Sequence, residues 1–131
     1  LVNAYTWFWT SGSFKVLSAT ASAGGNSSTV TVTPTALTFT PGDGAQSVSC
    51  SGPGVAWKQS DGPWAASPSG CDYRYPQSSI HNTNGEVTAT YGIVWSITWT
   101  SSDGEKGTLP YLTTTAKLTF AVAEAEAVVT K

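Results

Sequence analysis

Few residues in this chain are equipped for chemistry, and they are scattered. The single histidine, His81, stands in the polar stretch Ser79-Ile-His-Asn-Thr-Asn84. Ser and Asp are plentiful enough to complete a Ser-His-Asp triad by residue type, yet no Gly-x-Ser-x-Gly nucleophile elbow accompanies them. An exposed loop histidine is the favoured reading. Glu124 and Glu126 are two residues apart. On a strand that spacing sets carboxylates about 7 Å apart, a separation glycosidases use. No aromatic residue flanks them, and the domain is small for a substrate cleft. Asp43, Asp61, Asp72 and Asp103 fall in different turns. Without an Asp-x-Asp-x-Asp run they do not gather the oxygens that calcium needs, and Asp43 is expected to bond its own turn backbone. Cys50 and Cys71 form no Cys-x-x-Cys pair and have one histidine for company, which argues against zinc. Gly104-Glu-Lys-Gly-Thr108 has the wrong order for a phosphate-binding loop, and no Gly-x-Gly-x-x-Gly precedes a helix. The expectation is therefore no catalytic residue, no metal, no nucleotide and no other cofactor.

What remains is aromatic. The chain holds 6 Trp, 5 Tyr and 4 Phe. Trp57 and Trp64 lie in a long segment, residues 52–70, that shows no clear period and is rich in Pro, Gly, Ser and Asp. Loops of that size usually have a role. Trp7 and Trp9, with Tyr5 and Phe8, crowd the start of the chain. Such rings suit stacking on a sugar or anchoring a protein partner. Trp57, Trp64, Trp7 and Trp9 are the candidate binding surface.

The elements that must hold these rings are strands. Val30 and Val32 alternate with Thr29, Thr31 and Thr33, and Leu37 and Phe39 with Thr38 and Thr40. The longest alternation is Val87, Ala89, Tyr91, Ile93, Trp95, Ile97, Trp99, a period of two with a bulky apolar face. Its Tyr91, Trp95 and Trp99 are assigned to the core. A strand that long must bend or change sheets, and Gly92 is the natural bulge. Leu112, Thr114, Ala116, Leu118, Phe120 and Val122 repeat the pattern. Turn signals separate these runs, among them Gly24-Gly25, Gly42-Asp43-Gly44, Asn84-Gly85 and Asp103-Gly104. Residues 121–129 resist, because a continuous strand would set Glu124 and Glu126 on the apolar face. Either a bulge near Ala123 resets the phase or the strand runs past the core edge, and a last strand is preferred over a terminal helix.

The fold class predicted from these runs is an all-β sandwich with one disulfide, Cys50–Cys71. Its loop of roughly 22 residues is worth about 3 kcal/mol in chain entropy. Residues 1–25 are set apart as an N-terminal strand or linker, and residues 26–131 as the sandwich domain. Composition narrows the partners. Of 131 residues only 11% are charged, the net charge is −2, and Lys and Arg total 6. Nucleic acid is excluded as a partner on that balance. No apolar run reaches the roughly 18 residues of a membrane helix, so no transmembrane segment is expected.

Phe39-Thr-Pro-Gly-Asp-Gly44, Cys71-Asp-Tyr-Arg-Tyr75 and Gly85-Glu-Val-Thr-Ala-Thr90 resemble PKD-type immunoglobulin-like domains. The Trp-Asp-Phe that such domains carry before the turn is replaced here by Thr38-Phe39-Thr40-Pro41. A broader resemblance covers residues 28–131. It rests on Val48-Ser-Cys-Ser-Gly-Pro-Gly54, Pro68-Ser-Gly-Cys-Asp-Tyr73, Val94-Trp-Ser-Ile-Thr-Trp-Thr100, Leu109-Pro-Tyr-Leu-Thr-Thr114 and Ala123-Glu-Ala-Glu-Ala-Val-Val-Thr130. These are similar to exported actinobacterial proteins of unassigned function, often labelled ATP/GTP-binding. The resemblance implies a PKD-like domain outside the membrane and supplies no catalytic residue. The expected function is a non-catalytic, secreted or cell-envelope β-sandwich for adhesion, structural spacing or protein–protein binding. The alternative is a carbohydrate-binding module using its loop Trp residues. The expected partner is an extracellular protein or glycan, and the expected location is the exterior or the outer face of the envelope.

Overall fold

The computed structural model describes residues 1–124. It is all-β, with seven strands: β1 (Tyr5–Trp7), β2 (Leu17–Ala23), β3 (Asn26–Thr40), β4 (Val48–Cys50), β5 (Asp72–Arg74), β6 (Val87–Ser101) and β7 (Lys106–Phe120). β2, β3, β6 and β7 form an antiparallel sheet in that order, and β4 adds to β3 as its fifth strand. β1 and β5 make a separate two-stranded ribbon. The ribbon and its flanking chain cover one end of the large sheet.

β3, β6 and β7 are each 15 residues long, roughly 50 Å at the usual rise per residue. Their length follows from unbroken alternation. Thr, Val and Ile suit a pleated surface, and pairing keeps the apolar set together. Leu37, Ile93 and Thr114 form one row across the sheet, and Phe39, Tyr91 and Ala116 the next. Trp95 pairs with Pro34 and Leu112. Beyond it, Leu17, Val32, Ile97 and Leu109 form a further row, then Ala19, Val30, Trp99 and Gly107. Ser and Thr occupy most of the opposite face.

The bend predicted at Gly92 lies elsewhere. Register shifts occur between Pro34 and Ala36 on β3, and opposite the Trp95–Ile97 step on β7. Both neighbours of β6 thus take up an extra residue at the same level, so β6 keeps its phase along its whole length. Gly92 is a point of close approach. A Cβ there would collide with Thr38 Oγ1 and sit 3.1 Å from the Thr113 methyl. The turn readings hold at both hairpins. Gly24 and Gly25, with φ of 57° and 82°, supply the two positive-φ residues of a tight β2–β3 turn, and Asp103-Gly104 lies in the turn between β6 and β7.

The core sits at the covered end. Phe8, Leu37, Phe39, Cys71, Tyr75, Val87, Ala89 and Val122 are buried together. Phe39 is 0% exposed. The Phe8 ring stacks on it at 5.0 Å, and Tyr91 and Tyr75 meet it edge-on at 5.1 and 6.4 Å. Of the assigned aromatic stripe, Trp95 is buried, while Tyr91 and Trp99 are half-buried. The Cys50–Cys71 disulfide is formed, with the Cα atoms 5.4 Å apart. It links β4 of the large sheet to the residue before β5 of the ribbon. Residues 1–25 carry β1 and β2 and give Ala4, Trp7 and Phe8 to the interior.

After β7 the chain leaves the sheet. Residues 121–124 are not strand. Ser79 exchanges backbone and hydroxyl hydrogen bonds with Val122 at 2.8–2.9 Å, which buries Val122 while Glu124 stays exposed. Leaving the strand, rather than a bulge near Ala123, keeps Glu124 off the apolar face. The rest of the expected last strand, with Glu126, lies outside the described residues. Among the described residues no helix is long and apolar enough to cross a membrane.

Candidate functional site

The aromatic start of the chain and the 52–70 loop meet. Backbone N–H groups of Tyr5 and Thr10 donate to the carbonyls of Pro63 and Pro53, at 2.8 and 3.0 Å. The Trp7 indole N–H donates to the Ala65 carbonyl at 2.8 Å. These bonds lay the loop along β1. The loop is also braced from within. Trp57 donates its indole N–H to the Gly62 carbonyl at 2.9 Å, and the Asp61 carboxylate accepts the Lys58 N–H at 2.8 Å around a short 3₁₀ turn, Gln59–Asp61. Nearer the disulfide, Asp72 accepts the Ser67 N–H at 2.7 Å, and Ser67 bonds Ser69 at 2.7 Å. The Trp residues are therefore carried on fixed backbone, which lowers the entropy lost on binding.

Tyr5, Trp7, Trp9, Trp57, Pro63 and Leu1 line a groove of about 280 Å³. The predicted surface residues divide there. Trp9 and Trp57 are exposed along it, at 41% and 39%. Trp7 is 8% exposed, so its expected role as a stacking surface is corrected. It is an anchor for the loop, with its one donor already used. Trp64 is 60% exposed and stands apart from the groove. The Arg74 guanidinium lies 4.9 Å over the Tyr5 ring, a cation–π contact that steadies the ring. No carboxylate or imidazole lines the groove, and its Trp and Tyr rings can stack and exclude water.

A second cleft, of about 330 Å³, opens where the chain from Phe8 to Ser13 crosses the apolar face of the large sheet. Phe8, Trp9, Leu37, Tyr91, Ile93 and Ala116 are among its walls. Trp9 borders both hollows. The sequence shows the rings but not that Trp9 is shared between the two hollows. The Trp7-Phe8-Trp9 run gives no sign of which ring turns inward.

His81 is exposed, in a polar hollow shared with Asp43 and Glu86. Of the hydroxyls there, those of Thr88 and Thr119 bond each other at 2.9 Å. Asp43 accepts the Ala45 N–H at 2.9 Å, as its turn predicts, and the Tyr73 hydroxyl at 2.6 Å. Among the described residues no group of three or more His, Cys, Asp or Glu side chains is placed to hold a metal ion. No protein-family description matches the chain, and no curated protein or solved structure is significantly similar to it.

Proposed function

We propose that this chain is a non-catalytic binding module of an exported PKD-like protein, acting outside the cell in adhesion or spacing through contacts with another protein. The disulfide fits an oxidising exterior. The observation that carries the reading is the braced aromatic groove at Trp9 and Trp57, which shares Trp9 with the cleft over Leu37, Tyr91 and Ile93. Its walls set exposed rings beside Leu37, Ile93 and Ala116 and carry hydroxyls but no charged side chain, which suits an apolar or aromatic peptide segment. The same rings favour a second reading, a carbohydrate-binding module, since Trp9 and Trp57 offer faces for a sugar. Against it stands the lack, in the lining of either hollow, of a carboxylate, amide or guanidinium side chain to fix sugar hydroxyls.

Displayed-peptide selection and a glycan array separate the two. The protein reading expects aromatic or apolar peptides whose affinity falls at least tenfold with Trp9→Ala or Trp57→Ala. Glycan binding abolished by Trp57→Ala or Trp64→Ala would establish the alternative. Binding of neither class, or binding indifferent to all three changes, would defeat both readings.

A further inference from the structure

The large sheet has two edges, and they differ. β7 carries Lys106, Pro110 and Lys117 along its length and a register break near Pro110, the devices that keep an edge from pairing with another chain. β2 has none of them. Its sequence, Leu17-Ser-Ala-Thr-Ala-Ser-Ala23, holds no charge, no Pro and no irregularity, and every residue is exposed. It pairs with β3 on one side, and among the described residues nothing pairs with it on the other.

The register identifies which backbone groups are free. Ala23 and Asn26 flank a two-residue turn, which makes them a hydrogen-bonded pair, and bonded pairs alternate along an antiparallel ladder. Ala23, Ala21, Ala19 and Leu17 therefore direct N–H and C=O toward β3. Ser22, Thr20 and Ser18 direct theirs outward. These outward residues are symmetric about Thr20, as are their neighbours. An antiparallel copy related by a two-fold axis through Thr20 sets Thr20 against Thr20, Ser18 against Ser22 and Ala19 against Ala21. Side chains keep their faces in that register. The Leu17 and Ala19 face of one copy continues into that of the other, and the hydroxyl face does likewise. No like charges meet across the axis, because Lys15 falls opposite Gly25.

We infer that β2 is the pairing edge for a second copy of this chain, joined antiparallel about Thr20 so that two large sheets become one. A closed, isologous contact of this kind satisfies the edge without propagating into a fibre. It uses neither Trp9 nor Trp57, so it stands or falls separately from the function proposed above.

Sedimentation equilibrium on the intact chain tests it. The mass should rise with concentration from 13.6 kDa to twice that value and no further. Thr20→Lys places two ammonium groups at the axis and should weaken the association at least tenfold. The same change at Thr115 on β7 should leave it unaltered. Thr20→Cys brings two Cα atoms to about 5.5 Å in a bonded pair, inside disulfide range, and should give a covalent dimer on mild oxidation. Ser18→Cys, facing Ser22, should not. A chain that stays monomeric at every concentration overturns the inference. So does association insensitive to Thr20→Lys, or cross-linking as rapid through Ser18→Cys as through Thr20→Cys.

Discussion

Tyr75 is 1% exposed and donates its hydroxyl to the Pro41 carbonyl at 2.8 Å, fastening the turn after β3 to the residue that follows β5. Tyr75→Phe should cost about 1 kcal/mol, the usual net worth of such a bond, read as a lower urea midpoint with unchanged slope. Tyr73 next to it gives a pH signature. Burial first, and then its hydrogen bond and proximity to Asp43, push its phenol up to about 12. Burial likewise raises Tyr75 and Tyr91. In each case the neutral phenol is the form the fold favours. The stability linked to Tyr73 is therefore fully present below its unfolded value of about 10, and it is lost as pH climbs from there through about 12. The urea midpoint should be level between about pH 8 and 9.5 and fall above about 10. Tyr73→Phe should make that fall shallower. A midpoint equally steep in wild type and variant would show that the loss arises elsewhere.

At the scale of elements, the disulfide and the central strand carry the argument. Cys50 belongs to the large sheet and Cys71 lies beside the ribbon, so their bond joins the two layers as well as closing the Trp-bearing loop. Replacing both by Ala should cost about 3 kcal/mol and loosen the Trp9–Trp57 groove, seen as a red-shifted Trp emission before global unfolding. Gly92→Ala should cost about 1–3 kcal/mol by overpacking, and Thr38→Ala in the same chain should recover part of it. Chemical denaturation of the single and double variants measures the coupling. These elements also show what was legible in advance. The alternation from Val87 to Trp99 names β6, and Gly24-Gly25 and Asp103-Gly104 name its neighbours' turns, because strand period and positive φ are local properties of sequence. The role of Gly92 was not legible, since it depends on Thr38 arriving from another strand. Nor was the division of Trp7 from Trp9, which is decided by Ala65 coming across from the distant loop.

The whole molecule is uneven. β3, β6 and β7 run through a packed end and then past it, with Trp95 at the boundary. Beyond Trp95 the same apolar rows continue, yet Leu17 and Leu109 are 47% and 49% exposed. Sequence periodicity is the same in both halves, so it marks Trp99 as core as readily as Phe39. The difference comes from which chain crosses over the sheet: Phe8, Tyr73 and Tyr75 reach Phe39, whereas Trp99 is half-buried and lies against the backbone of Gly107. Free energy should be distributed accordingly. Phe39→Ala empties a fully enclosed site and should cost about 3–5 kcal/mol. Trp99→Ala removes the larger ring but should cost only about 1–2 kcal/mol, because less of its surface leaves water on folding. Hydrogen exchange should follow the same gradient, with amides of the β2–β3 hairpin opening at lower free energy than those of β6 between Val87 and Ile93. Equal losses from Phe39→Ala and Trp99→Ala in dilute solution would mean that the distal sheet has a cover of its own, as tightly packed as the core.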